Sequence, residues 1–325
     1  MPIDTRELWA ARDARRVAAA YYMSNPRVSL IDVGWKERDG KQTEELSVRI
    51  HLINKPTEAA FEAFSMQNEA LIIDKDKIPF KVDFIKANYR LHSYWWPTPY
   101  TQINERAKTC DPLRGGISVS NGRFYNYGTL GGIVSDKVTG EAMILSNWHV
   151  LAGTFYAPKG QKIYQPGTGD GGCYKDAVAA LERDVMAQGI DAAVAKLKTD
   201  RKWLNDQIGL GAVKGAEAPK LGMHVVKSGR KSDVTYGVID GIDGEYPIWY
   251  GGLKRRIKYV YRIKPQPGQP EVSQVGDSGS WWLNQSTGRA VGLHFAGMDD
   301  PETALAIAMP EVLKALNVEI MVSDG

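Results

Sequence analysis

From Gly115 onward the sequence alternates short apolar runs with clusters of Gly, Asn, Asp and Pro. The breaks recur at intervals of roughly ten residues, which is the spacing of short strands joined by turns. This rhythm predicts a mainly β architecture, a sandwich or a barrel, for the C-terminal two thirds of the chain. The predicted strands are 116–120, 128–136, 142–147, 161–165, 192–196, 224–228, 234–243, 257–263, 280–284, 290–296 and 304–308, followed by a short helix at 310–316.

The N-terminal third has a different pattern and predicts a small α+β unit. Apolar residues spaced among alanines and charges indicate a helix over Thr5–Tyr22, and Asn25-Pro26 ends it. The remaining predicted elements are a hairpin with strands at 28–36 and 45–53 and a turn at 38–41, a helix at 57–67 and a strand at 78–85.

The aromatic and proline-rich stretch 94–100 is interpreted as the boundary between two domains. We therefore expect an N-terminal α+β domain at 1–105 and a larger β domain at 106–325. His51 and His92 are isolated histidines of the surface or the core, and no spacing of ligand residues predicts a metal site or another cofactor.

Composition excludes several function classes. The chain has 325 residues, 43% of them hydrophobic and 24% charged, and a net charge of +3, which does not predict nucleic-acid binding. No window is apolar enough to predict a membrane span, and Met1–Tyr22 lacks the apolar centre of a signal peptide. Cys110 and Cys173 make no disulfide framework, so a cytoplasmic location is expected.

The stretch Gly276-Asp277-Ser278-Gly279 is a compact way to present a nucleophile. The two glycines permit unusual backbone angles and leave room for a substrate. The backbone N–H groups of Gly276 and Ser278 are candidates for an oxyanion hole, because both can point into one small space. A simple glycine-rich turn between strands is the alternative for these four residues taken alone.

Two further segments supply candidates for a base and an orienting acid. An apolar strand runs into His149 in Ser146-Asn147-Trp148-His149, and Asp191 opens the apolar strand Asp191-Ala192-Ala193-Val194. The order His149, Asp191, Ser278 is one of the known chain orders of a catalytic triad. Asp184 is a rival acid, ranked below Asp191 because no comparable apolar strand follows it.

On these three motifs the segment from about Gly115 to Val322 resembles the bacterial, disulfide-free trypsin-like (chymotrypsin-fold) serine peptidases. The resemblance implies a double β-barrel of two six-stranded antiparallel barrels, joined at about 198–222, with the triad in the cleft between them. It implies a protein or peptide substrate that is cleaved through an acyl-enzyme. The N-terminal third is similar to accessory domains found before some of these peptidases, and a regulatory protein is its expected partner.

The resemblance also implies where the side chain before the cleaved bond (the P1 residue) binds. The residues implied to line that pocket or to pair with the substrate are Val272, Ser273, His294, Phe295, Ala296 and Gly297. Val272 stands where trypsin-type enzymes carry an aspartate, so an Arg or Lys preference is not expected. Ser273 and His294 match positions that hold an acidic side chain in glutamate-specific members, which favours an acidic or small polar P1 residue; simple packing of His294 in its strand is the alternative.

Three further expectations concern activation and alternatives. Asp277 is expected to be paired inside the chain, so that activity needs no cleavage near Ile117. The run 167–172 matches G-x-G-x-x-G but lies in a β-type context, which favours a surface loop over a nucleotide site.

The alternative function is a peptide-binding module with a protease fold, or a protease that is latent until a partner activates it.

Overall fold

The computed structural model describes residues 3–38, 41–53, 74–92, 104–250, 253–300 and 302–322. The strands, in chain order, are β1 (Val28–Arg38), β2 (Lys41–Leu52), β3 (Val82–Lys86), β4 (Arg90–Leu91), β5 (Leu113–Gly115), β6 (Ser118–Asn121), β7 (Gly128–Thr129), β8 (Gly132–Asp136), β9 (Ala142–Ser146), β10 (Lys162–Tyr164), β11 (Ala177–Asp184), β12 (Ala193–Leu197), β13 (Trp203–Gln207), β14 (Gly211–Ala212), β15 (His224–Gly229), β16 (Asp233–Tyr250), β17 (Leu253–Pro265), β18 (Trp281–Asn284), β19 (Ala290–Asp299), β20 (Glu302–Ala308) and β21 (Val318–Ile320). The α-helices are α1 (Thr5–Tyr22), α2 (Trp148–Leu151) and α3 (Met309–Leu316). The fold is mainly β, as predicted.

The chain divides into two compact units. One comprises Met1–Tyr89 with Asp240–Arg262, and the other comprises Arg90–Ile239 with Ile263–Gly325. These ranges differ from the predicted domains, 1–105 and 106–325, in two ways: the first segment of the N-terminal unit ends at Tyr89, and parts of β16 and β17 belong to that unit. The predicted helix at 57–67 and the aromatic stretch at 94–100 lie outside the described residues, as does the centre of the hairpin turn.

The N-terminal unit is α+β. Asp4 caps α1, whose alanines Ala11, Ala14 and Ala18 are fully buried. Strands β1 and β2 form the predicted antiparallel hairpin, and β3 pairs parallel to β2. Apolar side chains of β2, among them Val48, pack against α1. The small alanines of α1 allow the helix to approach the sheet closely.

In the second unit, eight strands form one antiparallel sheet in the order β21-β8-β9-β12-β11-β10-β6-β7. β7 is at one end of this order and β8 is next to the other end, yet only Leu130 and Gly131 separate them in sequence. The sheet must therefore curl until its ends meet. The bonds Leu130 N–H to Ile117 O (2.8 Å) and Gly131 N–H to Leu145 O (3.0 Å) join the two ends and form a barrel.

A second barrel is a closed ring of six strands, β15-β18-β19-β20-β17-β16 and back to β15. With the first, it gives the predicted chymotrypsin-like double β-barrel, although the resemblance implied six strands in each barrel and eight strands form the first sheet. The predicted junction at 198–222 contains two further strands, β13 and β14. The predicted C-terminal helix is α3, with Pro310 in its first turn.

Candidate active site

The pairing of β9 with β12 brings His149 and Asp191 together. Ala193 lies opposite Ser146 in this pair, so His149, which follows β9, and Asp191, which precedes β12, meet at the same end. His149 lies in the short helix α2 rather than in the strand itself. Both residues are fully buried, and Asn147 Nδ2 donates to the carbonyl oxygen of Asp191 (2.8 Å).

The Asp191 carboxylate holds His149 at two points. Its Oδ2 lies 2.5 Å from His149 Nδ1, and its Oδ1 accepts from the His149 backbone N–H (3.1 Å). A carboxylate at Nδ1 favours the tautomer with a proton there, which leaves Nε2 as the basic nitrogen. The rival Asp184 instead caps the turn at Met186, whose N–H it accepts (3.1 Å).

Ser278 lies in a turn that enters β18, between two glycines with positive φ angles, 113° at Gly276 and 98° at Gly279. Glycine suits both positions because side chains disfavour this region. The Ser278 carbonyl accepts from Thr129 N–H (2.7 Å), and its hydroxyl donates to the Phe295 carbonyl (3.2 Å). The turn is thus held by groups from both barrels.

Gly128 lies between the serine turn and α2. A Cβ at this position would fall 2.9 Å from the Ser278 carbonyl oxygen and 2.5 Å from Val150 Cγ2. Only a residue without a side chain permits this approach. Ser278 and His149 are therefore on neighbouring segments that share Gly128 as a spacer.

Asp277 is paired within the chain, as expected. Its Oδ2 accepts from Lys227 Nζ (2.9 Å), Ser232 Oγ (2.5 Å) and Gln274 N–H (2.9 Å), while Oδ1 accepts from the N–H groups of Lys231 and Ser232. Burial alone would raise the pKa of Asp277, but the charge of Lys227 and these hydrogen bonds hold it well below its usual range. No new terminal amine is needed to neutralise this carboxylate.

The G-x-G-x-x-G run 167–172 forms a loop with a 3-10 turn at Thr168–Asp170 and supports the serine turn from outside. Asp170 binds Arg230, whose guanidinium lies 4.2 Å over the ring of Tyr127. A Cβ at Gly276 would fall 2.6 Å from that ring, so the ring packs directly on the turn. The run 167–172 therefore has a structural role, through the ion pair between Asp170 and Arg230.

The predicted specificity residues before the serine and on β19 are all buried. Val272, Ser273 and His294 are all buried, and the N–H groups of Val272 and Ser273 both donate to Glu302 Oε1 (3.0 and 3.2 Å). Ser273 Oγ and His294 Nδ1 make no hydrogen bond within the described part of the chain. Burial lowers the pKa of His294 well below its usual value, so its imidazole is neutral.

His92, classed from sequence as an isolated histidine, lies against His294. Its ring Nδ1 is 3.2 Å from His294 Nε2, and only 2% of its surface is exposed. Burial lowers its pKa to about 4. Its carbonyl oxygen accepts from Gly276 N–H (2.7 Å) and its own N–H donates to Phe295 O (3.1 Å). The sequence carries no local signal for these contacts, since the partners are about 200 residues away.

Ala296 and Gly297, predicted to pair with substrate, pair with β4. Leu91 lies opposite Ala296 and Arg90 opposite Gly297 in an antiparallel arrangement. Within the described ranges, no cluster of three or more His, Cys, Asp or Glu is placed to hold a metal ion. The described helices include none with the length and hydropathy of a membrane span.

No family model and no curated protein matches the chain. Solved structures similar to it include protease A of Thermobifida fusca, with a TM-score of 0.48 and 14% identity over 65% of this chain and 100% of that one. A Nocardiopsis protease has a TM-score of 0.48 and 17% identity over 66% and 100% of the two chains. A glutamic acid specific serine protease, described as using a histidine triad in substrate binding, has a TM-score of 0.48 and 17% identity over 64% and 100%.

Proposed function

We propose that this chain is a serine endopeptidase with Ser278 as nucleophile, His149 as base and Asp191 as orienting acid. The observation that carries the proposal is the buried, two-point contact of Asp191 with the ring Nδ1 and the backbone N–H of His149, at 2.5 and 3.1 Å. That contact fixes the tautomer and stabilises the imidazolium that forms when the ring accepts a proton. A Cβ at Gly128 would fall 2.9 Å from the Ser278 carbonyl oxygen and 2.5 Å from Val150 Cγ2, so the segments that carry the nucleophile and the base are neighbours.

In the proposed reaction, the Ser278 hydroxyl turns from the Phe295 carbonyl toward His149 Nε2, loses its proton and attacks the substrate carbonyl. The N–H groups of Gly276 and Ser278 stabilise the oxyanion. The Gly276 N–H already donates to a carbonyl oxygen, that of His92, which supports this role. His149 then protonates the leaving amine, and water hydrolyses the acyl-enzyme.

We further propose that peptide substrates carry an acidic or small polar residue at P1. Val272 supplies no carboxylate, and the nearby Glu302 carboxylate is bound by the N–H groups of Val272 and Ser273, which supports a P1 residue other than Arg or Lys. Ser273 Oγ and His294 Nδ1 are buried polar atoms without a hydrogen bond inside the described chain. Such groups stabilise a P1 side chain that supplies the missing partner, because leaving them unpaired costs about 1–3 kcal/mol each.

Hydrolysis of a peptide library by the full chain tests both points. Cleavage by wild type and none by Ser278→Ala supports the peptidase; cleavage by Ser278→Ala at the wild-type rate contradicts it. Loss of selectivity for the P1 residue in His294→Ala, with cleavage retained, supports the pocket assignment. Unchanged P1 selectivity in that variant contradicts it.

One observation favours the second candidate, a protease that is latent alone. The Gly276 N–H and the Phe295 carbonyl, both proposed to bind substrate, are engaged by His92. A regulatory protein that binds the N-terminal unit would then be the activator. Absence of hydrolysis by the purified chain, with hydrolysis restored by a cell extract and abolished by Ser278→Ala, supports this candidate.

A further inference from the structure

The segment Arg90–His92 lies along the edge of β19 in the second unit. It runs antiparallel to β19, with Leu91 opposite Ala296 and Arg90 opposite Gly297. This is strand addition, the mode in which an extended peptide joins a sheet edge through main-chain hydrogen bonds. The edge used is the one that was predicted to pair with substrate.

Three contacts then fix the register at His92. Its N–H donates to the Phe295 carbonyl (3.1 Å), its carbonyl oxygen accepts from Gly276 N–H (2.7 Å), and its imidazole is 3.2 Å from His294. The Ser278 hydroxyl donates to the same Phe295 carbonyl (3.2 Å). The carbonyl group of His92 is thus beside the nucleophile, and its oxygen is bound by an oxyanion donor.

The side chain of His92 fills the pocket predicted for the P1 residue. It is buried, and a Cβ at Gly297 would fall 2.3 Å from its Cε1, so Gly297 makes the space that the ring occupies. Leu91 is half-buried, and Arg90 is exposed, with its guanidinium 3.4 Å from Asp299. The contacts of this segment are therefore strongest at His92 and weaken with distance from Ser278.

We propose that Arg90–His92 is the acyl side of an intramolecular substrate, with the polar His92 in the place of the acidic or small polar P1 residue proposed for peptide substrates, and that Ser278 cleaves the chain after it. This rests on the proposed serine endopeptidase function. Ser278 Oγ bonds to the His92 carbonyl carbon, and the bond from that carbon to the next nitrogen breaks as His149 gives the nitrogen a proton. Water then supplies hydroxide to the carbon and a proton to His149, which returns a proton to the serine, leaving a carboxylate on His92.

The test is incubation of the purified full chain, followed by intact mass measurement and N-terminal sequencing. We expect a fragment that begins at Ser93, formed at a first-order rate that does not change with protein concentration. Ser278→Ala stays whole. His92→Ala is cut at least tenfold more slowly and labels faster with a fluorophosphonate, because its pocket is no longer filled. His224→Ala, an exposed histidine in the same unit, is cut at the wild-type rate.

Several results would overturn the proposal. A wild-type chain that reacts with the fluorophosphonate and cleaves peptides but remains whole contradicts self-cleavage and leaves the peptidase function intact. A cut at another bond, or a rate proportional to concentration, also contradicts it. A chain that neither labels, nor cleaves peptides, nor cuts itself contradicts the proposed function and this inference together. A cooperative unfolding transition like that of the wild type shows that each variant is folded.

Discussion

At the scale of single residues, the site depends on charges that are buried but paired. Lys227 Nζ and Asp277 Oδ2 are 2.9 Å apart with both side chains fully buried. A buried ion pair is costly to break, because the partner left behind carries an uncompensated charge. The pair therefore fixes Asp277 and, through the chain, the orientation of Ser278.

Replacing Lys227 by Met tests this pair. We expect a loss of about 3–5 kcal/mol in the free energy of unfolding, since Asp277 becomes a buried, unpaired carboxylate. Lys196→Met is the matched control: Lys196 is exposed and the side chain of its partner Glu141 is 41% exposed, and pairs at the surface contribute about 0–1 kcal/mol. Denaturant unfolding of both variants measures the difference, and equal losses would contradict the account.

Asp191→Asn tests the orienting acid. The amide can donate where the carboxylate accepts, so it favours the wrong tautomer of His149, and we expect kcat/KM to fall on the order of 10³–10⁴-fold. Peptide hydrolysis provides the measurement. Asp184→Asn is the control, because that residue accepts from the backbone N–H of Met186, and a comparable loss there would count against the assignment.

Residues in short local motifs could be proposed for the site from the sequence, and contacts that depend on distant pairing could not. His149, Asp191 and Ser278 each lie in a motif of a few residues, and Asp277 was expected to have an internal partner. The identity of that partner, Lys227, and the position of His92 depend on which strands lie side by side. A single sequence contains no direct signal for either.

At the scale of elements, the serine turn requires close approach to the first barrel. A Cβ at Gly279 would fall 2.2 Å from the Thr129 carbonyl oxygen and 2.0 Å from Ser146 Oγ. Ser146 Oγ itself donates to that carbonyl (2.7 Å), so neither atom can move without losing a hydrogen bond. The turn and the end of β9 therefore fit only with glycine at this position.

Gly279→Ala tests this constraint, with Gly140→Ala as its control. Both glycines have positive φ, 98° and 72°, but a Cβ at Gly140 meets nothing within 4 Å. Gly140→Ala is expected to cost about 1 kcal/mol of backbone strain. Gly279→Ala should cost more and also lower kcat/KM, measured by unfolding and by peptide hydrolysis; identical effects would show that the contact is unimportant.

Each strand predicted in the C-terminal two thirds overlaps an observed strand, but β5, β11, β13, β14 and β21 were not predicted. β11 was missed, because it begins Ala177-Val178-Ala179-Ala180 and ends in charged residues, and alanine and charged residues have low strand propensity. It forms nevertheless, since its backbone pairs with β10 on one side and β12 on the other. Tertiary pairing outweighed local propensity there.

At the scale of the whole molecule, the two units have separate buried centres. In the N-terminal unit, Arg49 binds Asp32, and His51 lies 3.1 Å from Asp32 and 3.0 Å from the Tyr89 hydroxyl. Arg262 binds Asp240 within the same unit. Two of these residues come from the segment 240–262, which is why the unit includes it although the sequence placed the boundary at 105.

His51 predicts how stability depends on pH. Burial lowers its pKa to about 4, although the charge of Asp32 opposes this, so the folded chain keeps it neutral where the unfolded chain binds a proton. The contribution of neutral His51 to the free energy of unfolding is fully present above about pH 6.5 and is lost as the pH falls toward 4. That loss amounts to about 3 kcal/mol. Between pH 6.5 and pH 4, the free energy of unfolding of His51→Gln should decrease by about 3 kcal/mol less than that of the wild type. An equal decrease in both proteins would contradict the assignment.

The central claim is that Ser278 is a nucleophile activated by His149 and Asp191. Its most direct measurement is fluorophosphonate labelling of the full chain, followed by mass spectrometry of the labelled peptide. We predict a single label on Ser278, none in Ser278→Ala, and a large loss of labelling rate in His149→Ala. A label on another residue, or labelling of Ser278→Ala at the wild-type rate, would contradict the claim.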